Sequence, residues 1–289
     1  MNKGILLMLV ATLVFSVAYI FVKRCTMALG FWEAAFFRGL GGFLILTLWL
    51  SLKKEKILGN RKNWKFLFIR GFSGAVAMIL YFWALSLTTM GNAAALHYTH
   101  PLFTTILAIP LLGEEVTWKK ILLIFIALSG VFLILRIDSG ILSSGSLLAL
   151  GSGFLASIAY LSIRHISQKE NPAAIINWLC ILTMFITFPP MLKNWVLPSF
   201  SQWNELIVIG VLTTVAQGLM TLSYKLEKAS TVAAFSFTGI IWATIAGKLV
   251  FAEIPDLREF SGIFIIFFSM AVLVVTRNSE EKLTSGERT

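Results

Sequence analysis

The sequence predicts an all-α integral membrane protein with ten transmembrane helices, arranged as two inverted five-helix repeats. Three observations support this prediction. First, 57% of the 289 residues are hydrophobic and only 13% are charged, whereas a soluble domain carries about 25% charged residues. Second, apolar stretches of roughly 20 residues, long enough to cross a bilayer as a helix, recur along the chain. Third, the chain contains two copies of one pattern of residues.

Ten apolar stretches lie between charged or turn-rich breaks, and each predicts one membrane-spanning helix. None alternates in polarity as the strands of a membrane barrel do. The predicted helices lie near 4–22, 31–52, 66–86, 91–112, 118–136, 145–164, 172–192, 203–224, 230–251 and 259–276. Because the connections are short, helices that follow each other in sequence are expected to be antiparallel neighbours.

The repeat is visible in two places. Residues 15–24 resemble residues 156–165, and residues 94–114 resemble residues 233–253. Each copy contains five helices, an odd number, so the second copy must enter the membrane from the opposite face to the first. The chain is therefore predicted to comprise a first repeat, a second repeat and a disordered cytoplasmic tail, at 1–140, 141–277 and 278–289.

The distribution of positive charge predicts the orientation. Of the 24 Lys and Arg residues, Arg38, Arg70 and Lys248 lie at least three residues inside a predicted span and are assigned to neither side. On the side opposite the N-terminus there are five: Lys23, Arg24, Arg136, Lys193 and Arg258. The other sixteen lie on the N-terminal side, which the positive-inside rule makes cytoplasmic. Both termini are thus predicted to be cytoplasmic, with the protein in a bacterial inner membrane. The net charge of +10 is attributed to these loops in contact with the lipid bilayer rather than to nucleic-acid binding.

A more specific pattern occurs between Arg70 and Arg136. Its parts are Arg70-Gly71, then 81–85 (YFWAL), 92–103 (NAAALHYTHPLF), 111–114 (LLGE) and 129–134 (SGVFLI). This pattern resembles the EamA domain of the drug/metabolite transporter (DMT) superfamily, whose fourth helix has an alanine-rich start, a proline in its middle and a terminal Gly-Glu. In the second half, Ile240 replaces Pro101, so the ninth helix is expected to be straighter than the fourth.

The resemblance implies a ten-helix secondary carrier for a small organic metabolite, with the substrate bound between the repeats. Nothing in the sequence resembles an ATP-binding loop, so a coupling proton, exchange with a counter-substrate or downhill export is expected to drive transport. No cofactor or metal is expected, and a homodimer is compatible with the sequence. The alternative interpretation is an integral-membrane enzyme that acts on a lipid-linked or amphiphilic substrate.

Arg38 is the first candidate substrate-binding residue, because a charged side chain inside a span needs a partner or a water-filled cavity. Its guanidinium either faces a central cavity and binds a carboxylate or phosphate, or snorkels to the membrane surface. Lys248 and Arg70 lie closer to helix ends and are interpreted as interface anchors. The central parts of the spans contain no Asp or Glu, which favours anionic or zwitterionic substrates over lipophilic cations.

His97 and His100 are three residues apart, so one helix would place them on the same face. Pro101 follows directly and removes a helical hydrogen bond near the middle of the membrane. An imidazole at such a position could bind substrate or accept a coupling proton. Alternatively, both rings are neutral and only stabilise helix packing. The two histidines have no third ligand at metal-binding spacing.

The remaining candidates are polar or aromatic side chains within the spans. An amide in this environment must find a hydrogen-bond partner, whether that is a substrate or another helix. Aromatic side chains could line the cavity or anchor the protein at the interfaces. These candidate substrate-binding residues are Tyr81, Tyr98, Asn177, Gln217 and Trp242. Glu114 and Glu253, at equivalent turns of the two halves, are interpreted as structural caps for nearby helix ends.

Overall fold

The computed structural model describes residues 3–112, 118–135, 143–227, 232 and 235–284, and within these ranges it contains helices and no strand. The helices are α1 (Lys3–Ala28), α2 (Phe31–Leu52), α3 (Trp64–Leu87), α4 (Met90–His97), α5 (His100–Leu112), α6 (Trp118–Leu135), α7 (Ser144–Ile166), α8 (Pro172–Lys193), α9 (Phe200–Leu226), α10 (Thr238–Phe251) and α11 (Leu257–Thr284). A short 3₁₀ turn, Arg61–Asn63, precedes α3.

Six of the described helical segments are long and apolar enough to cross a membrane. They are Lys3–Ala28, Phe31–Leu52, Arg61–Leu87, Ser144–Ile163, Pro172–Lys193 and Phe200–Leu226. Large apolar side chains on the outside of the bundle, such as Leu48, Phe185 and Leu249, are 62%, 79% and 78% exposed. Such exposure is unfavourable in water and favourable in lipid. The protein is therefore a multi-pass membrane protein.

Local signals determine where helices begin and end. Ser199 and Gln202 form a reciprocal capping box that starts α9, and the Asn171 side chain accepts from Ala173 N at the start of α8. α1 continues to Ala28, six residues beyond its predicted end, and stops before Gly30, whose φ of 100° suits glycine. The last helix extends to Thr284 rather than ending near residue 276.

The helices of the two halves pack in a reciprocal pattern. By their order in the chain, α1, α2 and α3 correspond to α7, α8 and α9. α1 packs against α9, and α3 packs correspondingly against α7; α2 packs against α9, and α8 against α3. The pairs α2–α8, α4–α10 and α6–α11 each join corresponding elements. Packing of this kind is expected of two halves related by an approximate two-fold axis.

One close contact joins α6 and α11. Gly130 of α6 and Gly262 of α11 each follow a serine, although they are not equivalent positions of the repeat. A Cβ atom added at Gly130 would lie only 2.7 Å from the Gly262 carbonyl oxygen. Glycine at this position therefore allows the two helix backbones to approach closely, as small residues commonly do in membrane proteins.

Two ends of the bundle are distinguished below. The N-face is the end at which α1, α3 and α8 begin and α2, α7 and α9 end; the far face is the other end. At the N-face, the Ser223 hydroxyl donates to Gly4 O at 2.6 Å, and Glu170 accepts from Asn60 N at 3.1 Å and from Asn63. These contacts connect elements of both halves.

Candidate functional site

Two adjoining cavities lie inside the bundle, between the halves. The first is enclosed mainly by α1, α2, α3, α7 and α9, and the second by α1, α4, α7 and α9. Both are lined by Phe15, Tyr19, His97, Tyr160 and Gln217, so they adjoin and are described together as one site. The second cavity extends towards the N-face, with lining residues 8–19 on α1 and 217–224 on α9, whereas the first lies around the middle of the bundle, with Arg38 on α2 and residues 70–82 on α3.

All five tyrosines of the chain line this site: Tyr19, Tyr81, Tyr98, Tyr160 and Tyr224. Their rings and the two histidine rings contact one another across helices, with centroids 4.9 Å apart for Tyr19–Tyr81 and 4.6 Å for Tyr81–His97. Membrane proteins usually place tyrosine at the interfaces. Its confinement to the cavity gives the site aromatic walls with hydroxyl groups that can donate or accept hydrogen bonds.

Tyr81 and Tyr98 were predicted from the sequence, whereas Tyr19, Tyr160 and Tyr224 were not. A signal for two of them was present. Tyr19 and Tyr160 occupy the same position in the repeated segment, each after Ser-x-Ala. A two-fold relation between the halves brings equivalent positions near the axis together, and both side chains meet at the cavity.

Two buried guanidinium groups line the first cavity. Arg38 on α2 is 3% exposed, and Arg70 on α3 is 1% exposed. Arg70 Nη2 donates to Gln217 Oε1 at 3.2 Å, and Arg38 Nη1 lies 3.9 Å from Cys180 Sγ. Neither forms an ion pair with a carboxylate of the described residues, and no Asp or Glu lines either cavity there.

Arg70 was expected to be an anchor at the membrane interface, but its side chain is buried inside the bundle. Although it lies in the second turn of α3, its helix is covered by α7 and α8, and the side chain extends along α3 towards Gly74. A Cβ atom at Gly74 would overlap Arg70 Nη1. The glycine thus provides the space in which the guanidinium lies. Arg70 Nε is buried without a hydrogen-bond partner among the described residues.

His97 is held in one orientation by a hydrogen-bonded chain. The Ser152 hydroxyl donates its single proton to Ala149 O at 2.6 Å. It must therefore accept in its 2.8 Å contact with His97 Nδ1, so Nδ1 carries a proton. In the neutral ring, Nε2 is then left as an acceptor, and the His97 side chain lines both cavities.

His100 lies deeper in the second cavity. Its ring packs edge-on against Tyr160, with centroids 4.7 Å apart, and its Nε2 lies 3.4 Å from Ser236 Oγ. His100 Nδ1 is buried with no hydrogen-bond partner among the described residues. The two histidine rings are 5.8 Å apart and both line the site, although the single helix that was expected to carry them is divided between His97 and His100.

The fourth predicted helix is divided rather than kinked. α4 ends at His97 and α5 begins at His100, with a turn between them. Pro101 has no N–H to donate to the His97 carbonyl, which would be its partner in a continuous helix. That carbonyl faces α7, where a Cβ atom at Gly153 would lie 2.7 Å from the His97 oxygen.

The expectation of a straighter ninth helix is wrong. Ser236 and Phe237 form a turn before α10, at the positions that correspond to His97 and Tyr98. Gly239 N and Ile240 N donate to residues three positions earlier, at 2.9 Å, so the backbone is not α-helical there. Gly239 lies against the Tyr98 ring, which a Cβ atom would overlap. The interruption therefore does not require proline.

Two candidates lie away from the cavities. Asn177 is fully buried, and its amide donates to Thr47 Oγ1 and Ile57 O, each at 3.4 Å, so it connects α8 to α2 and the following loop. Trp242 is 37% exposed on the outside of α10. Lys248 is also exposed, in agreement with an anchoring role. Arg38, Tyr81, His97, Tyr98, His100 and Gln217 line the site.

Ionic contacts join the two halves at the far face. Lys23 of α1 forms an ion pair with Glu253 and donates to Thr88 O at 2.7 Å. Glu253 also accepts from Met90 N at 2.7 Å. The expected capping role of Glu253 is therefore seen at α4, in the other half, rather than at the helix that follows it. Glu114 lies outside the described residues.

Two further contacts also join the two halves at the far face. Arg24 Nη2 lies 2.9 Å from Glu205 Oε1, which joins α1 to α9. Glu33 Oε1 accepts from Val196 N at 2.6 Å, which joins α2 to the loop before α9. Hydrogen bonds to charged groups are among the stronger ones in proteins, so the far face is held by contacts between both halves.

Comparison with family models identifies the chain. The model of the EamA-like transporter family matches twice, at residues 2–136 and 143–275. The chain belongs to the EamA-like transporter family. The two matches include every helix that contributes to the cavities.

The EamA relatives have names that refer to different small molecules. The pseudopaline exporter CntI of Pseudomonas aeruginosa is 26% identical over 279 residues, which cover 96% of this chain and 98% of the relative. The riboflavin transporter of Vibrio cholerae is 28% identical over 207 residues, covering 71% and 70%. An S-adenosylmethionine uptake transporter of Rickettsia prowazekii is 21% identical over 287 residues, covering 98% and 95%.

A crystal structure shares the fold of this EamA protein. It covers 96% of this chain and 98% of its own, with a TM-score of 0.71 and 18% sequence identity. At this identity the similarity concerns the fold alone.

Proposed function

We propose that this EamA protein is a secondary transporter of a small organic metabolite that bears a carboxylate or phosphate, including zwitterions. The observation that supports this most directly is the pair of buried guanidinium groups, Arg38 and Arg70, in a cavity without a compensating carboxylate among the described residues. A buried charge is costly unless it is paired. An anionic substrate would supply the missing partner.

The transport cycle is alternating access between two inverted repeats, residues 1–140 and 141–277. Both termini and the N-face are cytoplasmic, in a bacterial inner membrane. The reciprocal helix packing and the double family match support the repeats. The ion pairs at the far face, together with a cavity on the N-face side, fit a state closed towards the outside.

Export, or exchange for a counter-substrate, is the direction we propose, since the relative named as an exporter is 26% identical over nearly the whole chain and the relative named for uptake is 21% identical. A coupling proton would bind at His97, whose Nδ1 is committed to Ser152 and whose Nε2 can accept. His100, Tyr81, Tyr98 and Gln217 would contact the substrate, as their side chains line the site.

A two-stage experiment tests this function. Metabolites are first compared inside and outside cells with and without the gene, and the compound that changes is then followed, isotopically labelled, in liposomes containing the purified protein. We expect movement of the unaltered compound. We expect Arg38→Ala and His100→Ala to abolish it at unchanged expression and melting temperature, since both line the cavity.

Lys248→Ala is the matched control, because this lysine is exposed on α10. It removes a positive charge without altering the cavity and should leave transport unchanged. Chemical conversion of the compound in place of its movement would contradict the proposed function and favour a membrane enzyme. Full transport by both cavity variants would instead show that the substrate binds elsewhere.

A further inference from the structure

Arg38 and Arg70 have different neighbours in the site. Arg38 extends from α2 towards Cys180 of α8, whereas Arg70 lies along α3 beside Gly74 and is bonded to Gln217 of α9. Each guanidinium is thus positioned by a different pair of helices. Both line the first cavity.

Each guanidinium keeps donors for a ligand. Arg38 has five N–H donors, and its one described side-chain contact is with a sulfur atom, a weak acceptor. Arg70 uses Nη2 for Gln217, while its Nε has no partner in the described part of the chain. A carboxylate pairs naturally with the edge of a guanidinium through two parallel hydrogen bonds.

A substrate with one negative charge would neutralise only one of these guanidinium groups. The described lining contains no Asp or Glu that could balance the second, and an unbalanced buried charge is unfavourable in a membrane. Two negative charges would make the occupied cavity neutral. The amide of Gln217 and the Tyr81 hydroxyl, which is buried without a described partner, are uncharged and leave this balance unaltered.

From these observations we infer that the substrate is a dicarboxylate, with one carboxylate bound by Arg38 and the other by Arg70. This inference rests on the proposed transport function and specifies its substrate class. A phosphate monoester has the same total charge in a single group. It differs in that one group would have to reach both guanidinium groups at once.

Ligand binding to the full-length protein in lipid nanodiscs tests the inference. The probes are succinate, glutarate and adipate, each compared with its monoamide, which has similar size but a single charge. For the chain length that fits, we expect the dicarboxylate to bind at least roughly tenfold more tightly, because one charge-assisted hydrogen-bonded pair is lost in the monoamide.

Arg38→Gln and Arg70→Gln should each remove this preference, because one cationic centre then remains and the second carboxylate gains nothing. Lys248→Gln, which removes an exposed charge, should retain it.

Gly74→Ala is a second variant that keeps both charges. Its methyl group would displace the Arg70 tip and should weaken the preference, whereas Gly218→Ala, with no heavy atom within 4 Å of the new Cβ, should not.

Equal affinity of wild-type protein for every dicarboxylate and its monoamide would overturn the inference. So would full preference in either arginine variant that melts like wild type. Inorganic phosphate that binds more tightly than all three dicarboxylates, and depends on both arginines, would assign a single dianionic group instead. Transport without dicarboxylate preference refutes the substrate class alone, whereas preference without transport in liposomes refutes the proposed function.

Discussion

The interrupted helices of the two halves have similar backbones and different side chains. In the first half the break lies between His97 and His100, followed by Pro101. In the second half it lies at Ser236 and Phe237, followed by Gly239. The first break places the imidazole rings of His97 and His100 at the cavity. The second contributes the hydroxyl of Ser236 and leaves an open space at Gly239, which has no side chain.

That open space is occupied by the first half. The Tyr98 ring lies against Gly239, while the second cavity is lined by Tyr98, His100 and Ser236. Each break also packs on a helix of the other half: Gly153 of α7 approaches the His97 carbonyl, and Thr12 of α1 lies 2.9 Å from Thr238, Oγ1 to Oγ1. The comparison indicates that the backbone break is set by contacts across the halves, while the chemistry is concentrated in one of them.

Gly239→Ala should have the largest effect on this arrangement. The new methyl group would overlap the Tyr98 ring, which is 7% exposed and has little room to move. Overpacking of this kind costs about 1–3 kcal/mol, and we expect transport to fall by roughly tenfold or more. Transport in liposomes and melting in detergent measure the two consequences.

Removing the ring provides the control for that prediction. In a Tyr98→Ala background the methyl group no longer meets the ring, so adding Gly239→Ala should lower the melting temperature by less than it does in wild type. A Gly239→Ala protein that transports like wild type would show that the Tyr98 ring does not need the space at Gly239.

Gly153→Ala should have the next largest effect. Its Cβ would lie 2.7 Å from the His97 carbonyl and 3.0 Å from the Leu96 carbonyl, and backbone atoms cannot rotate away. We expect destabilisation of about 1–3 kcal/mol. Gly151→Ala, on the same helix, would meet only Leu80 Cδ1 at 3.6 Å and should be stabilising by roughly 0.5–1 kcal/mol. Melting shifts of the same sign would contradict the proposed contact.

Local signals in the sequence predicted much of the architecture. Apolar length marked the six described segments that can span a membrane, and the repeated Ser-x-Ala-Tyr segment marked two equivalent helices that meet at the cavity. A lone arginine in an apolar helix was enough to predict Arg38, since a buried charge must face something polar. His97, His100 and Pro101 were identified for a similar reason.

The residues whose positions were predicted wrongly are those that packing between the halves places. Arg70 is near a helix end in sequence, but its helix is covered and Gly74 leaves room for its side chain. Asn177 bonds to Thr47 and a loop carbonyl instead of facing the cavity. Proline was used as the signal for a helix break, so the break at Ser236 was missed. Its cause lies in the i→i−3 hydrogen bonds and the neighbouring Tyr98 ring, which no local pattern predicts.

Pro101→Ala should have the smallest effect of the three variants. Proline suits the first turn of a helix, which is where α5 begins. Its loss should therefore cost less than about 1 kcal/mol, through added freedom of the unfolded chain. The new N–H could reach the His97 carbonyl only if α4 and α5 became continuous, and the close contact of that carbonyl with α7 opposes this movement. We expect most transport to remain, and α5 to keep its direction in a structure of the variant. A continuous helix, with a loss of transport as large as that expected for Gly239→Ala, would show that the first half depends on its proline where the second half does not.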